Sequence, residues 1–376
     1  MTEILMTAAA LDILGLTCGG IAVWRAARRG PPRRAVWAVV LGGACVCLVA
    51  VVIGLLGFHN SFAAMRLLAH ALFCVWAPLL VCAGVLLWRQ CRWLAMALPS
   101  CGVAMDLAYS YARRIEPYRL EVTHYEVVSP KLRGVRQPIT VVVLADLQTD
   151  RIGAYERGVF ATMDRLRADL ILLPGDYIQI YGDPVALERE RRALVELFNG
   201  LRHRPRYGIW GVDGDVDFAA EVFRGSVAKP IQDAFEVLPG DPPLQLLGLS
   251  RPASRRPLTP EQERRIAAFP GLTLVMGHAP DFVCDDIAAF ARGETRPGTT
   301  TERLCIAGHI HGGQVVVPGF GPPITLSQLP RRYSTGLHRF GAMHLLVSRG
   351  VGLERGYAPR IRFLCRPELA VIRLRG

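Results

Sequence analysis

Residues 304–314 read LCIAGHIHGGQ. The first four are apolar, and a short run of this kind is a buried strand. His309 and His311 follow it, two residues apart and framed by Gly308 and the Gly312–Gly313 pair. One tight turn at a strand end therefore presents two imidazoles, with backbone close to whatever they bind. A lone histidine is most often structural; two in a glycine-framed turn form a ligand set.

The same layout recurs along the chain. Asp146 follows residues 141–145 (VVVLA), Asp176 follows 171–175 (ILLPG), and Asp213, Asp215 and Asp217 follow the 208–212 run (GIWGV). His278 follows 274–277 (LVMG). A single Asp after a strand is ordinarily a cap or turn residue. Carboxylates and imidazoles at one strand end after another instead suit a pair of divalent cations such as Mn, Fe or Zn, and loops at carboxyl ends of strands are where α/β folds place their sites. Two cations a few Å apart can hold a hydroxide and the oxygens of a phosphoryl group for in-line attack.

Between these runs lie helix-like segments at 155–167, 185–201 and 259–269, the last with Pro260 near its start. Strand-like runs close the chain at 343–348, 361–364 and 369–374. Alternation followed by strands predicts an α/β fold with two sheets or one large mixed sheet.

The first third is different. Residues 4–24, 35–58 and 67–88 are apolar runs broken only by Asp12, His70 and a few small polar residues, and each is long enough to cross about 30 Å of hydrocarbon. Residues 93–112 form a weaker fourth run containing Pro99 and Asp106. The first run lacks basic residues ahead of it, so it reads as a span and not as a cleaved leader.

Charge follows this division. The chain carries 44 Lys+Arg against 32 Asp+Glu, a net +12, with a mean hydropathy of +0.27. Residues 1–115 hold ten Arg against Glu3, Asp12 and Asp106, so +7 of the +12 lies in the apolar third. The arginines mark span ends, and no nucleic-acid partner is expected. Five of them lie at 25–34, one at 66 and two at 89–92, which puts the first and third loops in the cytoplasm. Four spans then place the rest of the chain on the extracytoplasmic side. Asp12, His70 and Asp106 are ionisable groups within or near the spans, which are costly there and mark function or a helix–helix contact. Seven of the ten cysteines sit in this third and none forms a CxxC pair, so no disulfide framework is expected.

Taken in order, Asp146, GD (175–176), GDVD (214–217), GHAPD (277–281) and GHIHGGQ (308–314) resemble the calcineurin-like metallophosphoesterases. Residues 315–323, 329–341, 347–352 and 362–374 are similar to the C-terminal signature of that family's bacterial membrane-linked branch. The resemblance spans about 138–376 and implies a four-layer αββα sandwich with a dinuclear metal centre. It assigns the first metal to Asp146 and His311, the second to His278 and His309, and a bridging role to Asp176. Asp215 stands where the family has an Asn ligand. Asp176, Asp215 and His309 would carry the catalytic roles. Two positions depart from the pattern: Gln148 stands where the family has a metal-binding histidine, and Val216 where it has the histidine that stabilises the phosphoryl group or protonates the leaving group. Asp150 lies close enough in sequence to compensate for Gln148.

The resulting expectation is about four transmembrane helices over 1–115, a linker over 116–137 and a metallophosphoesterase domain over 138–376. The protein would be an inner-membrane hydrolase of phosphoester or phosphoanhydride bonds, with a substrate that is lipid-linked or presented at the membrane surface, and with membrane lipid as its surroundings. Arg349 would meet an anionic group or sit in a salt bridge. Gln148 and Val216 support a second reading, a catalytically impaired relative that binds a metal, a lipid phosphate or a partner. A third, a transporter or sensor, would use Asp12, His70 and Asp106.

Overall fold

The computed structural model describes residues 2–135, 137–240 and 243–376, and they divide into two units. The first contains residues 2–115 and the segment Glu354–Ile361. The second contains the remaining described residues.

The first unit is helical. Helix α1 (Thr2–Arg29) ends at the Gly30–Pro31 break, and α2 (Pro32–Val52) starts with proline in its first turn and runs on through a π turn at Ile53–Gly57. Asn60 caps α3 (Ser61–His70) by accepting hydrogen bonds from the backbone N–H groups of Phe62 (2.8 Å) and Ala63 (3.2 Å). A π turn at Ala71–Trp76 leads into α4 (Ala77–Leu86), and α5 (Arg92–Arg114) follows. Three continuous helices, Glu3–Arg29, Pro32–Gly57 and Ser61–Leu86, are long and apolar enough to cross a membrane. Helix α5 is less apolar because Pro99, Ser100, Asp106 and Ser110 interrupt it, so among the described residues three helices rather than four meet that criterion. Small residues allow close crossings: a Cβ at Gly84 would collide with the Pro99 ring.

The second unit is built on two six-stranded sheets. The first holds β1 (Glu121–Val128), β2 (Ile139–Val143), β3 (Leu170–Leu173), β4 (Ile209–Gly211), β5 (Ala228–Pro230) and β12 (Glu368–Arg375), in the order β1-β12-β2-β3-β4-β5. The second holds β6 (Ala234–Leu238), β7 (Leu244–Gly248), β8 (Leu272–Met276), β9 (Arg303–Ala307), β10 (Gly336–Phe340) and β11 (Met343–Val347), in the order β10-β11-β9-β8-β7-β6. Strands β2 to β5 are parallel to one another, as are β7, β8, β9 and β11.

Alternate residues of each strand bury on opposite faces. Val141, Val143, Leu170, Leu172 and Ile372 meet Leu246, Leu274, Leu304 and Leu346 between the sheets. Val142, Ile171 and Val371 pack beneath Phe160 and Met163 of α6 (Ala154–Arg165) and Leu194 and Phe198 of α7 (Pro184–Asn199). On the far face, Leu247, Val275 and Leu345 pack with Ile266 of α9 (Pro260–Ala268) and Ile287 of α10 (Cys284–Ala291). One-turn helices α8 (Ala219–Val222) and α11 (Pro297–Thr300) fill loops. The layers are helix, sheet, sheet, helix: an α/β sandwich of the expected kind, preceded by the helical unit.

Two expectations fail here. Residues 116–137, expected as a linker, contain β1, which pairs along its whole length with β12 from the end of the chain. Polar residues fall on both of its faces, Glu121 and Thr123 on one and His124 and Glu126 on the other, which hides the strand from a hydrophobicity reading. Residues 361–364, expected as a strand, make only the isolated bridge Val315↔Phe363. Arg362 is fully buried there and donates to loop carbonyls instead of joining a ladder.

Candidate metal centre

The candidate residues all sit in loops leaving the carboxyl ends of parallel strands. Asp146 follows β2, Asp176 follows β3 and Asp215 follows β4; His278 follows β8, and His309 and His311 follow β9. The structure gathers them into two triads, Asp146–Asp176–His311 and Asp215–His278–His309, with the ligand atoms of each within 4.8 Å of one another.

Backbone hydrogen bonds lock the loops together. The Asp146 carboxylate accepts the His309 backbone N–H at 2.9 and 3.1 Å. One oxygen of Asp176 accepts the backbone N–H groups of Asp215 (2.6 Å) and Val216 (3.1 Å). Gln148 is fully buried on the Asp146 loop, and its backbone N–H donates to the Asp176 carbonyl at 2.9 Å. Asp146, Gln148, Asp176, His309 and His311 all have φ between 35° and 67°, the left-handed region non-glycine residues avoid. Such conformations cost about 1–3 kcal/mol each and cluster at functional sites. Glycines make the approach possible: a Cβ at Gly308 would lie 2.6 Å from Asp146 Oδ2, and one at Gly175, itself at φ 92°, 2.7 Å from His278 Nδ1.

The donor set fits divalent cations, and His278 shows it most plainly. Its Nδ1 donates to the Pro174 carbonyl at 2.8 Å. With Nδ1 engaged by that carbonyl, Nε2 is the ring nitrogen left to ligate a cation. That atom is buried, has no hydrogen-bond partner among the described residues, and faces Asp176 Oδ2 at 3.5 Å and Asp215 Oδ2 at 3.7 Å. A cation bound there would meet this nitrogen and one oxygen from each carboxylate.

Electrostatics agree. Burial, reinforced by the Asp176 carboxylate, pushes Asp146 up to about 7 despite the opposing pull of His278 and His309. Burial, with Arg362 beside it, holds His311 well below the ordinary histidine value, which leaves its ring neutral and able to ligate. At the other triad burial opposes charge, but the His309 hydrogen bond, with His278 and Arg255, holds Asp215 low; His309, also resisted by burial, is raised by Asp215. His309 Nδ1 is 3.2 Å from Asp215 Oδ2, and its Nε2 is 3.1 Å from the Leu326 carbonyl.

The other sequence candidates have structural partners. Asp213 accepts the Ala219 N–H at the start of α8, and Asp217 braces the Asp176 loop through the N–H groups of Tyr177 and Ile178. Asp150 joins neither triad. Arg349 is salt-bridged to Glu121 (3.0 Å) and Glu368 (3.4 Å), the structural one of its two expected roles. Sequence reading missed Arg255: its Nη2 is 2.6 Å from Asp215 Oδ2, and Nη1 is 4.0 Å from Asp281. It also missed Arg362, whose guanidinium ties the carbonyls of Arg349, Gly350, Gly352 and Cys365 beneath His311. Both lie among many surface arginines, and only the tertiary structure distinguishes them.

Comparison with known proteins agrees with this chemistry. The chain is 26% identical over 283 residues, 71% of its own length and 90% of the relative's, to the uncharacterized metallophosphoesterase YkuE of Bacillus subtilis. It is 41% identical over 71 residues, 19% of the chain and 24% of the relative, to the phosphodiesterase YaeI of Escherichia coli. Both relatives are named for phosphoester chemistry, in line with the resemblance that the motifs carry. No family model matches it.

Proposed function

We propose that the protein is a membrane-anchored, metal-dependent hydrolase of phosphoester or phosphoanhydride bonds, working with two divalent cations. The bare His278 Nε2, held between carboxylates of both triads, carries this reading. The names of the two relatives support the reaction class, phosphoric ester hydrolysis. Asp146, Asp176 and His311 would hold one cation and Asp215, His278 and His309 the other, with Asp176 facing both and buried Gln148 offering an amide oxygen beside the first. Cations bound there supply an activated water and charge neutralisation for in-line attack at phosphorus. Asp215 Oδ2 and His309 Nδ1 lie 3.2 Å apart, close enough to face one cation together.

Val216 supplies neither charge nor proton to the leaving group. Arg255 takes its place as the fixed positive charge at that side of the centre, supported by its bond to Asp215. A guanidinium stabilises developing negative charge but donates no proton at neutral pH. The site therefore favours substrates whose leaving group needs no protonation, such as a phosphoanhydride, above simple alkyl esters.

Residues 1–115 are the anchor. Helix α5 is 23 residues, about 34 Å long, and its outward face carries Trp93, Met96, Val103 and Leu107, with the Ser100 hydroxyl donating back to the Met96 carbonyl. These features support α5 as a fourth span of an inner-membrane anchor, with the sandwich on the extracytoplasmic side and a substrate that is lipid-linked or held at the membrane surface. The test is turnover of phosphomonoesters, phosphodiesters and a pyrophosphate diester by the full chain in detergent with Mn. No turnover above an Asp176→Asn control would sink the proposal. Val216 also supports the second reading, an impaired relative that binds metal without turnover; it predicts bound cations with no hydrolysis of any of the three.

A further inference from the structure

The helical unit contains a convergence of side chains that the hydrolase reading does not use. Asp12 lies on α1, His70 is the last residue of α3, and Cys74 follows one turn later in the π turn Ala71–Trp76. A carboxylate oxygen, an imidazole nitrogen and a sulfur from these three lie within 4.8 Å of one another. They do not satisfy one another: His70 Nδ1 is 3.9 Å from Asp12 Oδ2, beyond hydrogen-bond reach. Asp12 Oδ1 and His70 Nδ1 are both buried and have no hydrogen-bond partner among the described residues. Polar atoms left unmet inside apolar helices are costly, and more so in a bilayer that offers no water.

Ligand atoms this close, and not bonded to one another, can meet on a single cation. The set is mixed, one hard carboxylate, one imidazole and one soft thiolate, and that combination suits a borderline-soft ion that accepts tetrahedral geometry. The backbone departs from α-helix at this point, and single π turns recur at functional sites. Other charged groups act here too: Arg66 and Arg113 on His70, and Arg113 and Asp106 on Cys74. Two carboxylates offset two guanidiniums, so thiolate formation makes the pocket anionic.

We propose that Asp12, His70 and Cys74 bind one divalent cation of the zinc type, with water completing the coordination. Binding forms a metal–sulfur bond and releases the thiol proton to solvent, while the neutral imidazole and the ionised carboxylate donate lone pairs without a change of oxidation state. This site is independent of the phosphoesterase reading, because none of its ligands belongs to either Asp/His triad.

Cobalt(II) titration of the full chain in detergent tests it. Neither triad contains cysteine, so a near-ultraviolet thiolate-to-cobalt charge-transfer band that disappears in Cys74→Ala reports this pocket and not the other nine free cysteines. The expected result is a band that saturates at one thiolate-bound cobalt per chain, its loss in Cys74→Ala, its weakening by at least tenfold in affinity in Asp12→Asn, and its retention in Asp176→Asn and Cys365→Ser. Circular dichroism of each variant checks that the helices persist, and His70→Ala gives a second route should Cys74→Ala fail to fold. Absence of the band in folded wild-type protein, or its survival in folded Cys74→Ala or His70→Ala, overturns the proposal and leaves the three residues as a polar helix contact.

Discussion

Replacing Arg255 with leucine separates a charge at the candidate centre from its role in the fold. Its Nη2 lies 2.6 Å from Asp215 Oδ2, in a pair that is 38% exposed on the arginine side and 31% on the aspartate side. Water screens such a pair, so its contribution to stability is about 0–1 kcal/mol and the variant should fold. The loss should instead fall on turnover. Removing one preorganised group that stabilises transition-state charge costs about 10²–10³-fold, or about 2.7–4 kcal/mol. The cost should grow as the leaving group becomes poorer, since Val216 offers no compensating proton donor. Aryl phosphodiesters spanning several units of leaving-group acidity, assayed with Arg255→Leu and Arg255→Lys, give the slope of log kcat against leaving-group pKa. A steeper slope in the leucine variant, partly recovered by lysine, with bound metal unchanged, supports the role. A parallel drop across the series, or a drop that tracks lost metal, refutes it.

Further outcomes follow from the same geometry. Gln148→His adds an imidazole at a buried position on the Asp146 loop, and should tighten cation binding on the order of tenfold, about 1.4 kcal/mol, by calorimetric titration. Burial raises the Asp146 carboxyl to about 7, so the cation-free site keeps that proton below about pH 7 and must release it on binding. Apparent affinity should therefore fall as pH drops below 7 and level off above it, with proton release visible as buffer-dependent heat. Arg362→Met leaves the carbonyls of Arg349, Gly350, Gly352 and Cys365 without their buried donor, and should destabilise the sandwich by about 1–3 kcal/mol for each carbonyl left unmet, seen as a lowered Tm.

The parts of the structure legible in sequence are those where one residue type has one physical use. Apolar runs of four or five residues became β2, β3, β8 and β9 because a strand buried on both faces has no polar alternation to obscure it. The Asp and His residues after those runs meet because parallel strands bring their carboxyl ends to one edge. Strand β1 was not legible: its sequence, EVTHYEVV, carries polar residues on both faces, and it is recruited by β12, more than 240 residues away. Helix α5 mixes apolar and polar residues around Pro99, so its role depends on neighbours that composition does not reveal. Arg255 and Arg362 resemble the other arginines until the fold puts one beside Asp215 and the other under His311. The left-handed backbone at Asp146, Asp176, His309 and His311 is likewise a product of the assembled loops.

The central claim is that two triads hold two cations. Anomalous scattering from crystals of the full chain grown with Mn locates the ions directly. The account predicts one peak among Asp146, Asp176 and His311 and a second among Asp215, His278 and His309. A single peak, or Mn bound only outside both triads, would contradict it.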